Sequence, residues 1–293
     1  MAISNFIPEI WSASILQNLR DQLVYGQPGM INRDYEGDIR VAGDTVHITS
    51  FSDPATRAYT KNGTITWDLL TDATRALVVD QADYFAFTVD DIDRRQALSG
   101  FVESTSQGAA YNLAVDADTY LVTAMVAAAN GTSTDLGAKF VLANDVTANE
   151  TGETHVYDLL VDFRTALTRS KTPQQGRWIV VPPELYALLL KDDRFIRADA
   201  SGSTEGLRNG LVGRAAGFDV FESNTVPVAS NVYSIVAGHG MATTYAEQIV
   251  ETEALRLENS FGDGIRGLHL YGAKVVRPAQ LALADVTIGE NPA

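Results

Sequence analysis

The 293 residues are enough for one large domain or two ordinary ones, and with 45% apolar and 20% charged residues the chain can bury a substantial core. The absence of cysteine excludes disulfides, thiolate metal sites and a cysteine nucleophile, and a formal net charge of −15 disfavours binding to nucleic-acid phosphates. No run approaches the roughly 20 apolar residues that span a bilayer, and the first residues lack the basic start of a signal peptide, so a cytoplasm is the expected compartment.

The first predicted element is an amphipathic helix over residues 7–23. Its apolar side chains recur every four residues and form one stripe, made of Trp11, Ile15, Leu19 and Leu23. The glycines and proline of residues 26–29 end the helix. Because an isolated helix of this length is marginal in water, the stripe requires another surface to pack on.

Residues 41–87 are predicted to form a long β arm with two limbs. Residues 41–51 are rich in β-branched side chains, a polar tip with Pro54 and the Asn62–Gly63 pair follows, and the chain then returns as a second extended limb. A lone hairpin is marginal in water, so the apolar residues of the arm need a partner surface in this chain or in another. These residues are Trp67, Val78, Val79, Tyr84 and Phe85.

The longest helical pattern runs from Thr88 to about Ala129. Thr88 is followed three residues later by Asp91, as in a capping box, and further aspartates crowd the first turns, where the helix dipole favours negative charge. At about 1.5 Å per residue this span would extend roughly 60 Å. The pattern therefore predicts an elongated subunit with a helical spine, and the dipole explains the aspartates better than a metal site does.

A turn-rich break at residues 130–137 marks a boundary, after which helices and strands alternate. The predicted elements are a helix from Val156 to Leu167, a buried strand at 177–181, a helix that Glu184 opens, and strands at 217–223 and 232–238. We interpret residues 131–243 as one compact α/β domain.

Residues 262–267, GDGIRG, have the glycine spacing of a dinucleotide-binding fingerprint. That fingerprint needs a strand before the glycines and a helix after them, which places the pyrophosphate at the helix N-terminus. Here both flanking stretches alternate apolar and polar residues, as strands do. We therefore predict a β hairpin with Asp263–Gly264 as its turn, and nucleotide binding is disfavoured.

Residue types with catalytic or metal-binding chemistry form no recognisable set. The histidines are His47, His155, His239 and His269, and no pair has the spacing of a helical zinc site. Neither a nucleophile elbow nor a phosphate loop occurs. The GHG at 238–240 could form an anion nest, but the MATTYAEQI that follows favours a strand-to-helix turn. We predict no catalytic residue, no metal ligand and no cofactor.

The order of the segments resembles one protein family. An N-terminal arm is followed by a long β excursion, a long helix, a compact α/β domain and a return to β strands. Five stretches are similar to phage coat proteins, namely FIPEIWSASILQNL, TDATRALVVDQADYFAFTVDDID, RWIVVPPELYALLLKDDRFI, GLVGRAAGFDVFESN and HLYGAKVVRP. The chain thus resembles the major capsid proteins of tailed bacteriophages, whose Hong Kong 97-type fold is an α+β architecture.

The resemblance implies a role for each segment. It implies an N-terminal arm at 1–40, an extended β loop at 41–87, a peripheral domain of spine helix and β sheet at 88–130 plus 244–285, an axial domain at 131–243 and a C-terminal tail at 286–293. The arm and loop would bury their apolar faces on other copies, so assembly into pentamers and hexamers supplies what a monomer lacks.

The same resemblance suggests which residues make assembly contacts. They are Trp11, Ile15 and Leu19 in the arm, Lys61 and Trp67 in the loop, and Asn259 and Asp263 beside the peripheral hairpin. Some family members join subunits by a Lys–Asn isopeptide bond, for which Lys61 and Asn259 have the residue types. A single lysine at a loop tip is ordinarily a solvated charge, so non-covalent contacts or a separate cement protein are expected instead.

The implied function is a non-catalytic shell protein of the virion, assembled in the host cytoplasm around double-stranded DNA that it does not bind sequence-specifically. Since some members begin with a long scaffolding domain and this arm begins at Met1, a separate scaffolding protein is expected, with a portal and a decoration protein as further partners and no membrane. The alternatives are an encapsulin-like compartment, a tail or adhesin protein, and, much less favoured, a nucleotide-binding enzyme through Gly262–Gly267.

Overall fold

The computed structural model describes residues 23–34, 45–51, 56–58, 61, 67, 72–90, 101–141, 153–191, 213–257 and 262–289. The strands in these ranges are β1 (Thr45–Phe51), β2 (Asp72–Val78), β3 (Gln81–Asp90), β4 (Asp135–Val141), β5 (Glu153–Thr154), β6 (Arg177–Val181), β7 (Arg214–Ala215), β8 (Phe218–Glu222), β9 (Val228–Ala229), β10 (Val232–His239), β11 (Thr243–Arg256), β12 (Gly262–Val275) and β13 (Leu281–Ile288). The helices are α1 (Phe101–Ala129), α2 (Val156–Arg169) and α3 (Pro183–Lys191), with a 3-10 turn at Pro278–Gln280. The predicted α+β class is confirmed.

An eight-stranded mixed sheet lies between two apolar cores. Its strands run in the order β5-β4-β13-β10-β6-β8-β7, and β9 pairs with β10. All five residues of β6 are buried, and they alternate between the cores: Trp178 and Val180 face α1, whereas Ile179 and Val181 face α2 and α3. This two-sided burial explains why β6 reads as an unbroken apolar run, and it confirms the predicted strand at 177–181.

A three-stranded antiparallel sheet, ordered β11-β12-β3, also packs against α1. The buried face of α1 is a stripe at helical spacing, formed by Ala110, Leu113, Ala114, Ala117, Leu121, Val122, Met125 and Ala129. Tyr245, Tyr271 and the partly buried Phe85 meet this stripe from the sheet. Helix α1 therefore packs against both sheets and shares one apolar core with them, as a spine does.

The predicted start of this helix at Thr88 is wrong. Thr88 and Asp90 belong to β3, where they pair with Gly264 and Gly262 of β12. The alternation of exposed and half-buried residues that begins at Gln81 continues through Thr88, and this period of two fits a strand with one covered face. The described helix begins at Phe101, and residues 91–100 lie outside the described ranges.

Strand pairing departs at two points from the predicted division of the chain. Residues 81–87, predicted as the end of the β loop, pair with β12 in the three-stranded sheet. Strand β13, predicted to join the spine helix and to run into the tail, instead pairs with β10 and β4 in the eight-stranded sheet. The reason is that Leu281 and Leu283 enter one core while Ala282 and Ala284 enter the other, which suits a central strand. The domain boundaries themselves remain predictions.

Strands β1 and β2 form the described part of the two-limbed arm. They pair antiparallel from Thr45 opposite Val78 to Phe51 opposite Asp72. At the base of this hairpin the side chains of Ile48, Leu77 and Val79 pack on Ala246 and Leu270, which lie in β11 and β12. The base of the arm thus finds its partner surface within the same chain.

Candidate functional site

The structure describes three of the seven predicted assembly residues. Lys61 and Trp67 lie between β1 and β2, and both are exposed. Asp263 lies in β12, opposite Val89 of β3 and Arg256 of β11. The other four are outside the described residues: Trp11, Ile15, Leu19 and Asn259. The proposed contacts of all seven remain predictions, and so does the expectation that no bond forms between Lys61 and Asn259.

The apolar residues of the arm divide into two groups. Val79 is buried and Phe85 packs against the core beneath α1. Trp67 is 87% exposed, Tyr84 is 77% exposed and Val78 is partly exposed. A tryptophan this exposed has a large apolar surface left in water, which marks an interaction site better than scattered small apolar residues do. The base of the arm is therefore packed on the rest of the chain, whereas Trp67, farther along the arm, is exposed to solvent in the monomer.

The outer face of the three-stranded sheet carries a shallow groove of about 520 Å³. Tyr84, Ala86 and Leu268 supply apolar surface, and an ion pair between Arg266 and Glu253 crosses the groove, with Arg266 Nε donating to Glu253 Oε2 at 2.8 Å. These residues share one face because Ala86, Arg266 and Glu253 are register partners on three adjacent strands. The groove is therefore an exposed surface of mixed apolar and charged character.

The GDGIRG motif is explained by packing. Residues Gly262–Gly267 lie in β12, between β11 and β3, and their backbone groups pair with those two strands. Strand β12 continues after Gly267, where a dinucleotide-binding fingerprint needs a helix. A Cβ on Gly267 would lie 2.3 Å from Phe85 Cε1, so the ring occupies the space that a side chain would need. The predicted hairpin is confirmed, but the turn is not Asp263–Gly264: Arg256 pairs with Asp263, and Leu257 N donates to Gly262 O.

The GHG motif is a turn between two strands, and the predicted strand-to-helix turn is wrong. Strand β10 ends at His239 and β11 begins at Thr243. Residues 243–248 pair with β12 in an antiparallel ladder, and this pairing outweighs their local helical appearance. A Cβ on Gly240 would lie 2.5 Å from Gly29 O, so glycine permits the close approach of residues 23–34.

Residues 23–34 are held in place by α1 and by β11. On the first side, Asp118 of α1 accepts hydrogen bonds from Val24 N at 2.7 Å and from Gly26 N at 3.2 Å. Burial raises the pKa of Asp118 to about 6, although these amides and the charge of Arg33 act to lower it. On the second side, Asn32 exchanges backbone hydrogen bonds with Thr243 and Tyr245.

A buried polar cluster completes the second attachment. Arg33 Nη1 donates to Glu247 Oε1 at 2.8 Å, and Tyr245 Oη donates to Glu247 Oε2 at 2.9 Å. His269 Nε2 lies 3.6 Å from the same Oε2, and the imidazole stacks on Tyr271 at 5.0 Å. Burial alone would raise the pKa of Glu247, but His269, Arg33 and Tyr245 outweigh it and hold this pKa at about 2.

Sequence reasoning did not identify Arg33, Asp118 or Glu247. One signal was present for Asp118: it falls three residues before Leu121 and four after Ala114, which puts a carboxylate on the buried stripe of α1. A charge at such a position needs hydrogen-bond donors, but only the fold supplies their identity. Arg33 and Glu247 are 214 residues apart, and no local pattern links them.

The histidines outside this cluster serve local structure where their side chains are described. His155 is the N-cap of α2, and its Nδ1 accepts from Tyr157 N at 3.3 Å. His239 Nδ1 accepts from Met241 N at 3.2 Å in the β10–β11 turn. Within the described ranges no three histidine or carboxylate side chains lie together as metal ligands would. In the same ranges, no helix has the combined length and apolarity needed to cross a bilayer.

Comparison with known proteins identifies the family. The sequence profile of the phage capsid protein family matches residues 55–284. A structure from Mycobacterium phage Che8 is 31% identical, with a TM-score of 0.66 over 97% of this chain and 98% of that chain. The capsid of cyanophage P-SCSP1u is 16% identical, with a TM-score of 0.63 over 86% of this chain and 85% of the other. A virus-like particle from Pyrococcus furiosus is 11% identical, with a TM-score of 0.54 over 94% and 98%. No curated protein sequence matched the chain.

The profile match covers most of the chain, and the Che8 likeness extends it to nearly the whole length. At their lower identities, the other two structures establish a shared fold only. The exposed arm, the spine helix and the two sheets are accordingly parts of a capsid protein. The chain belongs to the phage capsid protein family, as a major capsid protein of tailed bacteriophages with the Hong Kong 97-type fold.

Proposed function

We propose that the chain assembles into the pentamers and hexamers of an icosahedral phage head that encloses double-stranded DNA. The observation that carries this proposal is the arm between β1 and β2. Its base is fastened to β11 and β12, while Trp67 is 87% exposed. Burying such a side chain on a neighbouring copy gains about 1.5–3 kcal/mol per subunit, and a closed shell repeats that gain at every contact.

The proposed roles of the segments follow the predicted division. Residues 1–40 form the N-terminal arm, which is held on its own subunit at 23–34 and otherwise reaches over neighbours. Residues 41–87 form the extended loop, and the axial domain at 131–243 clusters at the five-fold and six-fold axes. The peripheral domain comprises 88–130 plus 244–285, and 286–293 form the tail. Trp11, Ile15, Leu19, Lys61, Trp67, Asn259 and Asp263 are the proposed contact residues.

The charge of the chain supports enclosure of DNA without sequence-specific binding. A net charge of −15 repels phosphates, so packaged DNA slides past the wall instead of adhering to it. The proposed partners are further copies of the chain, a separate scaffolding protein, a portal and a decoration protein. Assembly takes place in the bacterial cytoplasm, and the finished protein resides in the virion capsid.

The role of the arm is tested with Trp67→Ala, using Trp67→Phe as the matched variant that keeps an aromatic ring. We expect the unfolding midpoint of isolated subunits to change little in either variant, because the side chain is exposed. Assembly, followed by light scattering with the scaffolding protein present, should require a higher subunit concentration for Trp67→Ala and be largely restored by Trp67→Phe. If the wild type and both variants assemble at the same subunit concentration, Trp67 makes no assembly contact and the proposal loses its main support.

The content of the shells separates the phage head from the encapsulin-like alternative. Particles isolated from phage-infected cells should protect genome-length DNA from nuclease. Particles that instead enclose one enzyme, and no DNA, would favour the compartment. Trimers or fibres in place of closed shells would favour a tail or adhesin protein.

A further inference from the structure

Asp118 is a buried carboxylate that forms no ion pair with another described residue. Only 2% of the residue is exposed, in the middle of the apolar stripe of α1. Its two oxygens accept from the amides of Val24 and Gly26, and the intervening amide of Tyr25 also contributes. The successive backbone N–H groups of residues 24–26 thus form a concave anion site, and the Asp118 carboxylate of the same subunit occupies it.

Two opposing effects decide how strongly this contact holds. Hydrogen bonds from amides to an ionised carboxylate are strong. Removing that charge from water is costly, however, and among the described residues Arg33 acts on Asp118 only through its charge, without an ion pair or hydrogen bond to it. If residues 23–34 lift away from α1, the carboxylate regains its hydration. The attached state therefore favours a protonated Asp118 more than the detached state does.

We infer that Asp118 is a proton-controlled attachment for the root of the N-terminal segment, which is held most tightly at acidic pH and detaches more readily as pH rises. The inference concerns a movement within one subunit and does not depend on shell formation.

The sign follows from the two protonation equilibria. Burial raises the pKa of Asp118 from 3.8 to about 6 in the attached state, so the attached state binds more protons between these values. Attachment is therefore strongest below about pH 4 and weakens as pH rises to about 6. From pH 5 to pH 8 the detachment equilibrium should increase about tenfold.

The other titratable groups near the contact are few. Arg33 acts on Asp118 through its charge, Tyr25 acts on it through its backbone amide, and both residues come from the attached segment. Burial and Asp118 both raise the pKa of Tyr25, so its phenol stays neutral between pH 5 and pH 8. On β11 and β12, Glu247 faces Arg33, and His269 faces Glu247. The experiment therefore separates the contribution of the Glu247–His269 cluster from that of Asp118.

Hydrogen exchange of the full chain tests the inference. The protection of amides 24–26 is measured from pH 5 to pH 8, corrected for intrinsic exchange rates, with the amides of Leu121 to Met125 in α1 as an internal reference. The wild type should lose about tenfold protection at 24–26 and none at the reference. His269→Gln should retain this slope, and Asp118→Asn, which resembles the protonated state, should show a flat profile.

Three results would overturn the inference. The first is a wild-type profile at residues 24–26 that is flat after correction. The second is a slope that persists in Asp118→Asn, and the third is a slope that disappears in His269→Gln while Asp118 is intact. The first result needs no variant, so the inference stays testable even if Asp118→Asn does not fold.

Discussion

The Arg33–Glu247 pair should be a major stabilising contact of the subunit, and Glu247→Gln tests this. The substitution keeps the shape of the side chain and removes its charge. The carboxylate side chain is fully buried, and it receives Arg33 Nη1 at 2.8 Å and Tyr245 Oη at 2.9 Å. The substitution leaves the Arg33 guanidinium with Gly26 O and the Tyr245 ring but without its carboxylate, and removing one partner of a buried pair commonly costs about 3–5 kcal/mol.

The pKa of Glu247 gives a separate magnitude. His269, Arg33 and Tyr245 together lower it from 4.5 to about 2, and at about 1.4 kcal/mol per pKa unit this corresponds to about 3 kcal/mol of stability at neutral pH for the cluster as a whole. Because the folded-state pKa is the lower one, this contribution is complete above pH 4.5 and is lost as pH falls toward 2. The two magnitudes agree, so we expect Glu247→Gln to lower the free energy of unfolding by about 3 kcal/mol at pH 7.

Urea denaturation of unassembled subunits measures this loss, with fluorescence of the buried Trp178 as the signal. Glu253→Gln is the matched control, because its ion pair with Arg266 is exposed to solvent and should contribute less than about 1 kcal/mol. A loss for Glu247→Gln no larger than for Glu253→Gln would show that the buried pair stabilises the subunit no more than the exposed pair does. A loss that stays constant down to pH 2 would refute the assigned pKa.

Two further predictions concern packing. Gly267→Ala should lower the free energy of unfolding by about 1–3 kcal/mol, because its Cβ would overlap the Phe85 ring, and Phe85→Leu in the same chain should recover part of the loss; an unchanged midpoint in urea would contradict this. Phe163→Ala should lower the free energy of unfolding by about 3–5 kcal/mol in the same assay, because Phe163 of α2 is fully buried against the eight-stranded sheet and its removal leaves a cavity. A loss below about 1 kcal/mol would contradict this and would mean that neighbouring side chains fill the cavity.

The elements that sequence reasoning predicted well are those buried on two faces or on one clear stripe. Strand β6 is an unbroken apolar run because both cores need its side chains, and α2 shows a regular stripe from Val156 to Leu167. In both cases the local pattern and the tertiary environment require the same structure. Strands β8 and β10 were found for the same reason.

The elements that it missed depend on partners distant in sequence. Thr88 to Asp90 carry helix-start residues, yet β12 offers a strand edge to them, and that pairing outweighs local propensity. Residues 243–248 look helical in isolation for a similar reason. The attachments of residues 23–34 also escaped prediction, because Asp118 binds backbone amides, which leave no mark in the sequence.

Electron microscopy of the purified protein, combined with its mass from light scattering, tests most directly whether the chain builds a shell. With the scaffolding protein present, we expect closed icosahedral particles whose subunits cluster in fives and sixes, at a mass that is a large multiple of one subunit. A compact monomer that persists under these conditions, with Trp67 still exposed to solvent, would contradict the proposal that the arm is completed by neighbouring copies.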